Sequence, residues 1–145
     1  MGRQLTFDRE LQYERQVYGG DVLWLPSVNA EFEGLNGAVK VGRAILDTGS
    51  PWCAIPRAIA AGYLGIDVHA CERMQIRPFS GPTLSVPYVD IRVRIKSMGV
   101  EATCKTLLTD GGPYLIGRKP IFRHATLGFF EEDDGHHNRI LVASR

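Results

Sequence analysis

Apolar and polar residues alternate along most of the chain, which is the pattern of β-strands that bury one face. The clearest case is residues 86–95, where Val89, Ile91, Val93 and Ile95 fall on one face with charged residues between them. An earlier alternation at Leu5, Phe7, Leu11 and Tyr13 predicts strand structure near the start. Similar patterns predict strands at residues 23–32, 39–46, 100–108, 127–131 and 139–142.

Helical signals are scarce by comparison. The sequence predicts one helix at residues 56–64, with a proline in its first turn, and a second from Arg118 to about His124. Asp134-Gly135 is a hairpin signal between the last two strands. Many short strands with few helices indicate an all-β barrel or sandwich. Without a linker or composition shift, residues 1–145 are predicted to form one domain, with a strand extension at 1–20 and a terminal hairpin at 126–145.

Composition narrows the class of protein further. The 145 residues carry a formal net charge of +1, so no basic surface for nucleic acid or an anionic membrane is expected. The first residues lack the apolar segment of a signal peptide, and no apolar run reaches the ~18 residues of a membrane span. A cytoplasmic protein is therefore expected. Cys53, Cys71 and Cys104 form no CxxC pair, which favours free thiols over a disulfide framework or zinc site.

The segment ILDTGS at residues 45–50 places an acid directly after a buried strand. Asp47 needs hydrogen-bond donors there, because an unpaired carboxylate is costly beside a core. Gly49 permits a tight turn with accessible backbone N–H groups, and Thr48 and Ser50 add hydroxyl groups. This arrangement predicts a functional carboxylate held rigidly in a loop, although the same residues also occur in simple turns.

A second segment, PYLIGRKPIF at residues 113–122, repeats this design without the acid. Leu115 and Ile116 are the apolar pair, Gly117 follows, and a short helix begins at Arg118. The chain therefore has two halves of similar plan, each with a strand, a glycine-containing turn and a helix.

The two segments, with VDIRVRI between them, resemble the retropepsin family, which comprises the retroviral-type, single-domain aspartic proteases and their cellular relatives. The resemblance spans about residues 23–129. It implies a small closed or partly open β-barrel with one or two short helices, working as a homodimer. Asp47 from each subunit would meet its mate at the two-fold axis and activate a water molecule against a peptide or protein substrate, with no metal or cofactor.

The resemblance also implies supporting roles for the neighbouring residues. Thr48 would bond to its mate across the dimer, and Gly49 would lend its N–H group to the carboxylate. Ser50 would bond to the outer carboxylate oxygen. Residues 115–117 would pack beneath the active-site loop.

The sequence departs from the family pattern after each of the two motifs. Pro51 and Trp52 stand where retroviral members carry an acid that pairs with the arginine of the second motif. Lys119 replaces the Asp or Asn that often follows this arginine. The usual interface role of Arg118 is therefore not expected to carry over unchanged.

The segment that corresponds to the family's flap, residues 71–88, is also unusual. It contains one glycine, Gly81, next to Ser80 and to Phe79, a candidate substrate contact. Three prolines favour a stiff or irregular loop over a supple hairpin; they are Pro78, Pro82 and Pro87.

Two alternatives to the peptidase remain open. One is a non-catalytic retropepsin-like module for dimerisation or peptide binding, which the altered flap and the missing acid favour. The other is an unrelated β-barrel that binds a ligand. The C-terminal hairpin would either rebuild the dimer sheet or block it. His136 and His137 lie in an acidic turn, but adjacent side chains point apart, so a solvated turn is expected and not a metal site.

Overall fold

The alternating segments of the sequence form the strands of a closed barrel and of two smaller sheets. The computed structural model describes residues 4–77 and 80–145, and the elements given below belong to these residues. The strands are β1 (Arg9–Gln12), β2 (Glu14–Tyr18), β3 (Asp21–Leu25), β4 (Ser27–Glu33), β5 (Val39–Leu46), β6 (Cys53–Pro56), β7 (Arg73–Ile76), β8 (Leu84–Ile95), β9 (Val100–Thr109), β10 (Tyr114–Ile116), β11 (Ala125–Phe130) and β12 (Arg139–Ser144). The helices are α1 (Arg57–Gly62) and α2 (Arg118–Phe122), with 3-10 turns at Val68–Ala70 and Lys96–Met98.

Six strands close the barrel in the order β4, β5, β10, β6, β9 and β8. Antiparallel pairing of β8 with β4 completes the ring, with Val93 opposite Phe32. The short strand β10 lies between β5 and β6, parallel to β5 and antiparallel to β6. The two strands that flank ILDTGS are therefore separated by a strand from the second half of the chain. The predicted all-β fold with two short helices is confirmed.

Two smaller sheets lie outside the barrel. Strands β1, β12 and β11 form an antiparallel sheet with β12 in the middle, and β2 pairs with β3 as a ribbon. The hairpin signal at Asp134-Gly135 lies in the β11–β12 connection, where Gly135 adopts a positive φ of 73°. Neither helix among the described residues has the length or apolar character needed to cross a membrane.

The barrel interior is filled by the alternate residues that the sequence pattern indicates. Ile91, Val93 and Ile95 of β8 are at most 1% exposed, as their shared face predicts. Phe32 is fully buried and stacks on Tyr114, with ring centroids 5.4 Å apart and planes at 22°. This stack joins β4 to β10, so the short strand is fixed by side-chain packing as well as by its backbone pairs.

The charged face of β8 is paired within the chain. Arg94 binds Glu31 at 2.7 Å and Glu101 at 3.0 Å, and Lys96 also binds Glu31 at 3.0 Å. Arg92 pairs with Glu101 as well. Acidic side chains of β4 and β9, the strands on either side of β8, therefore neutralise these basic side chains.

Strand boundaries differ from the predictions in the first third of the chain. The predicted strand at 23–32 is two strands, because Pro26 has no N–H group for a ladder and ends the first of them. The predicted early strand begins only at Arg9, so Leu5 and Phe7 precede it. Phe7 instead packs over the backbone at Gly128 of β11.

The segment at residues 71–88 was expected to be an irregular loop, and this is wrong for the two strands that form its arms. β7 pairs with the start of β8 in a regular antiparallel hairpin, with Arg73 opposite Pro87 and Ile76 opposite Leu84. Pro87 of β8 is accommodated because pairing of β8 with β9 begins at Tyr88, so Pro87 lies where β8 pairs with β7 alone. Ser80 and Gly81 lie exposed at the tip, and Phe79 is outside the described residues.

Candidate active site

Asp47 lies where β5 ends, at the start of the loop that connects it to β6. Its backbone N–H donates to the carbonyl of Ile116 at 2.8 Å, which ties the loop to the end of β10. The N–H group of Gly49 donates to the Asp47 carboxylate at 3.0 Å, and that of Ser50 donates to the Asp47 carbonyl at 3.3 Å. The carboxylate is thus oriented by its own loop and remains partly exposed.

Thr48 and Ser50 have different surroundings. Thr48 is exposed, and its hydroxyl has no hydrogen-bond partner within residues 4–77 and 80–145. The Ser50 hydroxyl donates to the Trp52 carbonyl at 2.9 Å and accepts from the Trp52 N–H at 3.2 Å. The expected bond from Ser50 to the carboxylate is therefore replaced by a bond that fixes the turn into β6.

Gly117 is a point of close contact between the two halves of the chain. A Cβ atom at this position would lie 2.3 Å from the Trp52 carbonyl oxygen, so no side chain fits. The next two residues bond to the active-site loop: the Arg118 N–H donates to the Ser50 carbonyl at 2.9 Å and the Lys119 N–H to the Pro51 carbonyl at 3.3 Å. The start of α2 is thereby held against the loop.

Arg118 also reaches the active-site loop through its side chain. Its Nη1 donates to the carbonyl of Thr48 at 3.1 Å. The guanidinium group thus binds a backbone carbonyl of the loop. Arg118 therefore supports the loop within one chain.

A shallow apolar pocket, too small to hold a water molecule, lies beside Asp47 and Thr48. It brings together β5, β10, α2 and β11, and its apolar lining consists of Leu46, Ile116, Ile121, Phe122 and Leu127. Leu127 belongs to β11, which lies in the three-stranded outer sheet formed by β1, β12 and β11. Strand β11, at the edge of this outer sheet, therefore lies next to the active-site loop.

The structure brings some predicted site residues together. Residues 47–50 and 115–118 form one cluster, in which Leu115 pairs with Ile45 on one side and with Ala54 on the other. Two residues that pack against this cluster were not predicted to contribute. Trp52 supplies the backbone against which Gly117 packs, and Leu127 lines the pocket. No local motif identifies either residue, since both act through contacts with distant parts of the chain.

Among the described residues, one cluster of three side chains could together hold a metal ion. Glu132, Asp134 and His137 lie in the β11–β12 connection and are exposed. His137 Nδ1 is 3.2 Å from Glu132 and 3.5 Å from Asp134, distances that an ordinary surface ion pair explains. This turn supplies no group to the Asp47 cluster.

Comparison with known proteins supports the fold. A scan against protein-family models finds no match, and a search of curated proteins finds none either. Among solved structures, the chain is similar to a retropepsin-like aspartic protease from Rickettsia conorii, with a TM-score of 0.58 and 18% sequence identity. The similarity covers 99% of this chain and 100% of that one. The chain therefore has the fold of a retropepsin-like aspartic protease.

Proposed function

We propose that this chain is an aspartic endopeptidase that works as a homodimer, with one Asp47 carboxylate from each subunit. The observation that carries the proposal is the rigid setting of Asp47, whose backbone is bonded to Ile116 and whose carboxylate accepts from Gly49. Catalysis requires groups held in place before the substrate arrives, and this loop meets that requirement within one chain.

The exposed edge of the outer sheet supports a second copy as the partner. Among the described residues, β11 pairs with β12 alone, so its other edge is open. Phe129 and Phe130 on this strand are each 39% exposed, and Leu127 lines the pocket next to Asp47 and Thr48. Pairing of β11 with its mate would extend the sheet to six strands and bring the two loops together. The unpaired Thr48 hydroxyl would then find its partner.

The chemistry of such a pair follows from electrostatics. Two carboxylates within hydrogen-bonding distance hold one proton between them, because two adjacent negative charges repel strongly. The charged carboxylate removes a proton from a water molecule, and that water attacks the scissile carbonyl. The protonated carboxylate donates to the carbonyl oxygen. The tetrahedral intermediate then collapses as a proton passes to the leaving amine.

The β7–β8 hairpin is the candidate lid of the substrate site. It occupies the chain position of the family's flap, and Ser80 and Gly81 lie at its exposed tip. An extended peptide would bind between this hairpin and the active-site loop. Hydrogen bonds from the hairpin backbone would fix the peptide, as strand addition does elsewhere.

The test is cleavage of an unbiased peptide pool, read by mass spectrometry from acidic to neutral pH. Asp47→Asn removes the titratable group with almost no change in shape, and Asp133→Asn makes the same change at an exposed position in the β11–β12 connection. We expect cuts from the wild type and from Asp133→Asn, and none from Asp47→Asn. Equal cutting by all three proteins would refute the proposal.

The non-catalytic retropepsin-like module is the second candidate. The bonds between Ser50 and Trp52 favour it, because they remove a hydroxyl that would otherwise support the carboxylate. No cleavage at any pH by a folded wild-type dimer, together with retention of a pool peptide by that dimer, would establish this function instead.

A further inference from the structure

Two buried thiols lie in contact directly behind the active-site loop. Cys53 is the first residue of β6 and fully buried, and Cys104 in β9 is 8% exposed. β6 and β9 run parallel with Cys53 opposite Thr106, so Cys104 is on the same face two residues earlier. The two Sγ atoms are 3.1 Å apart. The S–S length of a disulfide bond is about 2 Å, so the two sulfur atoms must approach each other by roughly 1 Å, with an adjustment of the two strands, to form one.

Cys104 is reached from outside through a basic cleft. This cleft has a volume of about 450 Å³, and Cys104 contributes to its lining next to the Pro51–Trp52 turn. Its other polar lining is almost entirely basic: Lys105, Lys119, Arg123 and His124. The space admits a small oxidant.

The two thiols are not equivalent. The hydrogen bond with Cys53 lowers the pKa of Cys104, although burial and the Asp90 carboxylate act in the opposite direction. The same hydrogen bond, together with burial, raises the pKa of Cys53. Cys104 is the thiol that lines the cleft, and the fully buried Cys53 stands behind it.

We propose that Cys53 and Cys104 form a reversible disulfide when hydrogen peroxide enters through the basic cleft. The Cys104 thiolate attacks one peroxide oxygen, the O–O bond breaks, and the departing hydroxide takes up a proton as water. Cys53 sulfur then attacks the resulting sulfenic acid, the S–O bond breaks, and a second water leaves. Two thiols are oxidised by two electrons in total, and one peroxide is reduced to two waters.

The site is independent of the proposed peptidase activity but lies beside its loop. Cys53 directly follows Trp52, whose backbone packs against Gly117. The disulfide would tie β6 to β9, both of which are barrel strands. It would thereby lock the strand that leaves the active-site loop.

The third cysteine provides an internal reference. Cys71 is partly exposed, and its Sγ contacts the Asp67 carbonyl at 3.4 Å. Trypsin releases the three cysteines in separate peptides, because arginine or lysine lies between them. The peptides are residues 44–57 with Cys53, residues 58–73 with Cys71, and residues 97–105 with Cys104.

The experiment treats the folded full chain with increasing hydrogen peroxide, then denatures, alkylates, digests and analyses it by mass spectrometry. We expect the alkylated forms of peptides 44–57 and 97–105 to decline together. A linked peptide that lacks two hydrogens should replace them, and dithiothreitol should restore both alkylated forms. Peptide 58–73 should keep its alkylated cysteine over the same range.

Two variants test the order of the steps. In Cys104→Ser, Cys53 should stay alkylatable, because both its disulfide partner and the thiol that reacts with peroxide are removed. In Cys53→Ser, Cys104 should proceed to sulfinic acid without a linked peptide. The wild-type measurement decides the proposal even if a variant fails to fold. Full alkylation of Cys53 and Cys104 at peroxide levels that oxidise Cys71, or a linkage through Cys71, would overturn it.

Discussion

Substitution of Gly117 by alanine is the sharpest test of how the two halves of the molecule fit together. The new methyl group would stand 2.3 Å from the Trp52 carbonyl oxygen and 2.6 Å from its carbonyl carbon. Ordinary van der Waals contact begins at 3.4 Å, so the two backbone segments must separate by about 1 Å. Gly117 has a φ of −79°, which alanine adopts freely, so the effect is purely steric.

The expected loss of stability follows from two contributions. Forcing one methyl group into a packed site costs about 1–3 kcal/mol. The hydrogen bonds from Arg118 to Ser50 and from Lys119 to Pro51 lie on the same contact, and weakening them adds about 1 kcal/mol. The total is about 2–4 kcal/mol. With an unfolding entropy of about 2.1 cal/mol/K per residue over this chain, the Tm should fall by about 7–13 °C.

Thermal unfolding followed by circular dichroism measures this shift. Gly111→Ala is the matched control, because a Cβ atom there meets nothing within 4 Å. We expect the control to unfold within about 2 °C of the wild type, as surface substitutions usually do. A Gly117→Ala protein that unfolds together with the control would show that the Trp52–Gly117 contact is not close, and the proposed support of the active-site loop would fail with it.

Three further predictions concern the barrel, the charged strand and the sheet edge. Phe32→Ala should lower the free energy of unfolding by about 3–5 kcal/mol in urea, because it empties a fully buried site. Arg94 lowers the pKa of Glu31 and of Glu101. These ion pairs therefore stabilise the folded state above the usual carboxyl pKa, and this stabilisation is lost as pH falls through the lowered pKa values. Arg94→Gln should therefore reduce the urea midpoint near neutral pH and leave it unchanged in strong acid. Phe129→Lys should shift the proposed dimer to monomer in sedimentation, because it places a charge on the β11 edge.

Each of these has a matched control. Leu35 is 82% exposed, so Leu35→Ala and Leu35→Lys should change neither the urea midpoint nor the sedimentation mass. Arg15→Gln removes the same charge as Arg94→Gln from the β2–β3 ribbon. A pH-independent difference between Arg94→Gln and the wild type would contradict the carboxylate pairing. An unchanged mass for Phe129→Lys would place the dimer contact elsewhere.

The sequence predicted those parts of the fold that depend on local pattern. Strand β8 is an example, because its alternation is a property of consecutive residues and its buried face is the one expected. The break between β3 and β4 at Pro26 was also predictable, because proline has no N–H group. It was missed because the apolar residues on both sides resemble one continuous strand. The hairpin arms of β7 and β8 were missed for the opposite reason, since pairing between strands outweighed the local effect of proline.

The candidate site was less accessible to such reasoning. Asp47 was predicted from its local segment ILDTGS, and Gly117 from the similar plan of PYLIGRKPIF; family resemblance then supplied their roles, and no periodicity connects them. The bonds between Ser50 and Trp52, and the reach of Arg118 to the Thr48 carbonyl, depend on where the two halves meet. Contacts of this kind are set by tertiary packing, so a single sequence carries no direct record of them.

The position of β10 between β5 and β6 also determines when the active-site loop can form during synthesis. Leu46, the residue before Asp47, leaves the ribosome 68 residues before Tyr114. At about 5–20 residues per second, this is a delay of roughly 3–14 s. Until β10 arrives, Asp47 lacks the Ile116 carbonyl and the turn into β6 lacks its contact with Gly117. The proposed endopeptidase therefore has no assembled catalytic loop while its own unfolded chain is still emerging and open to cleavage.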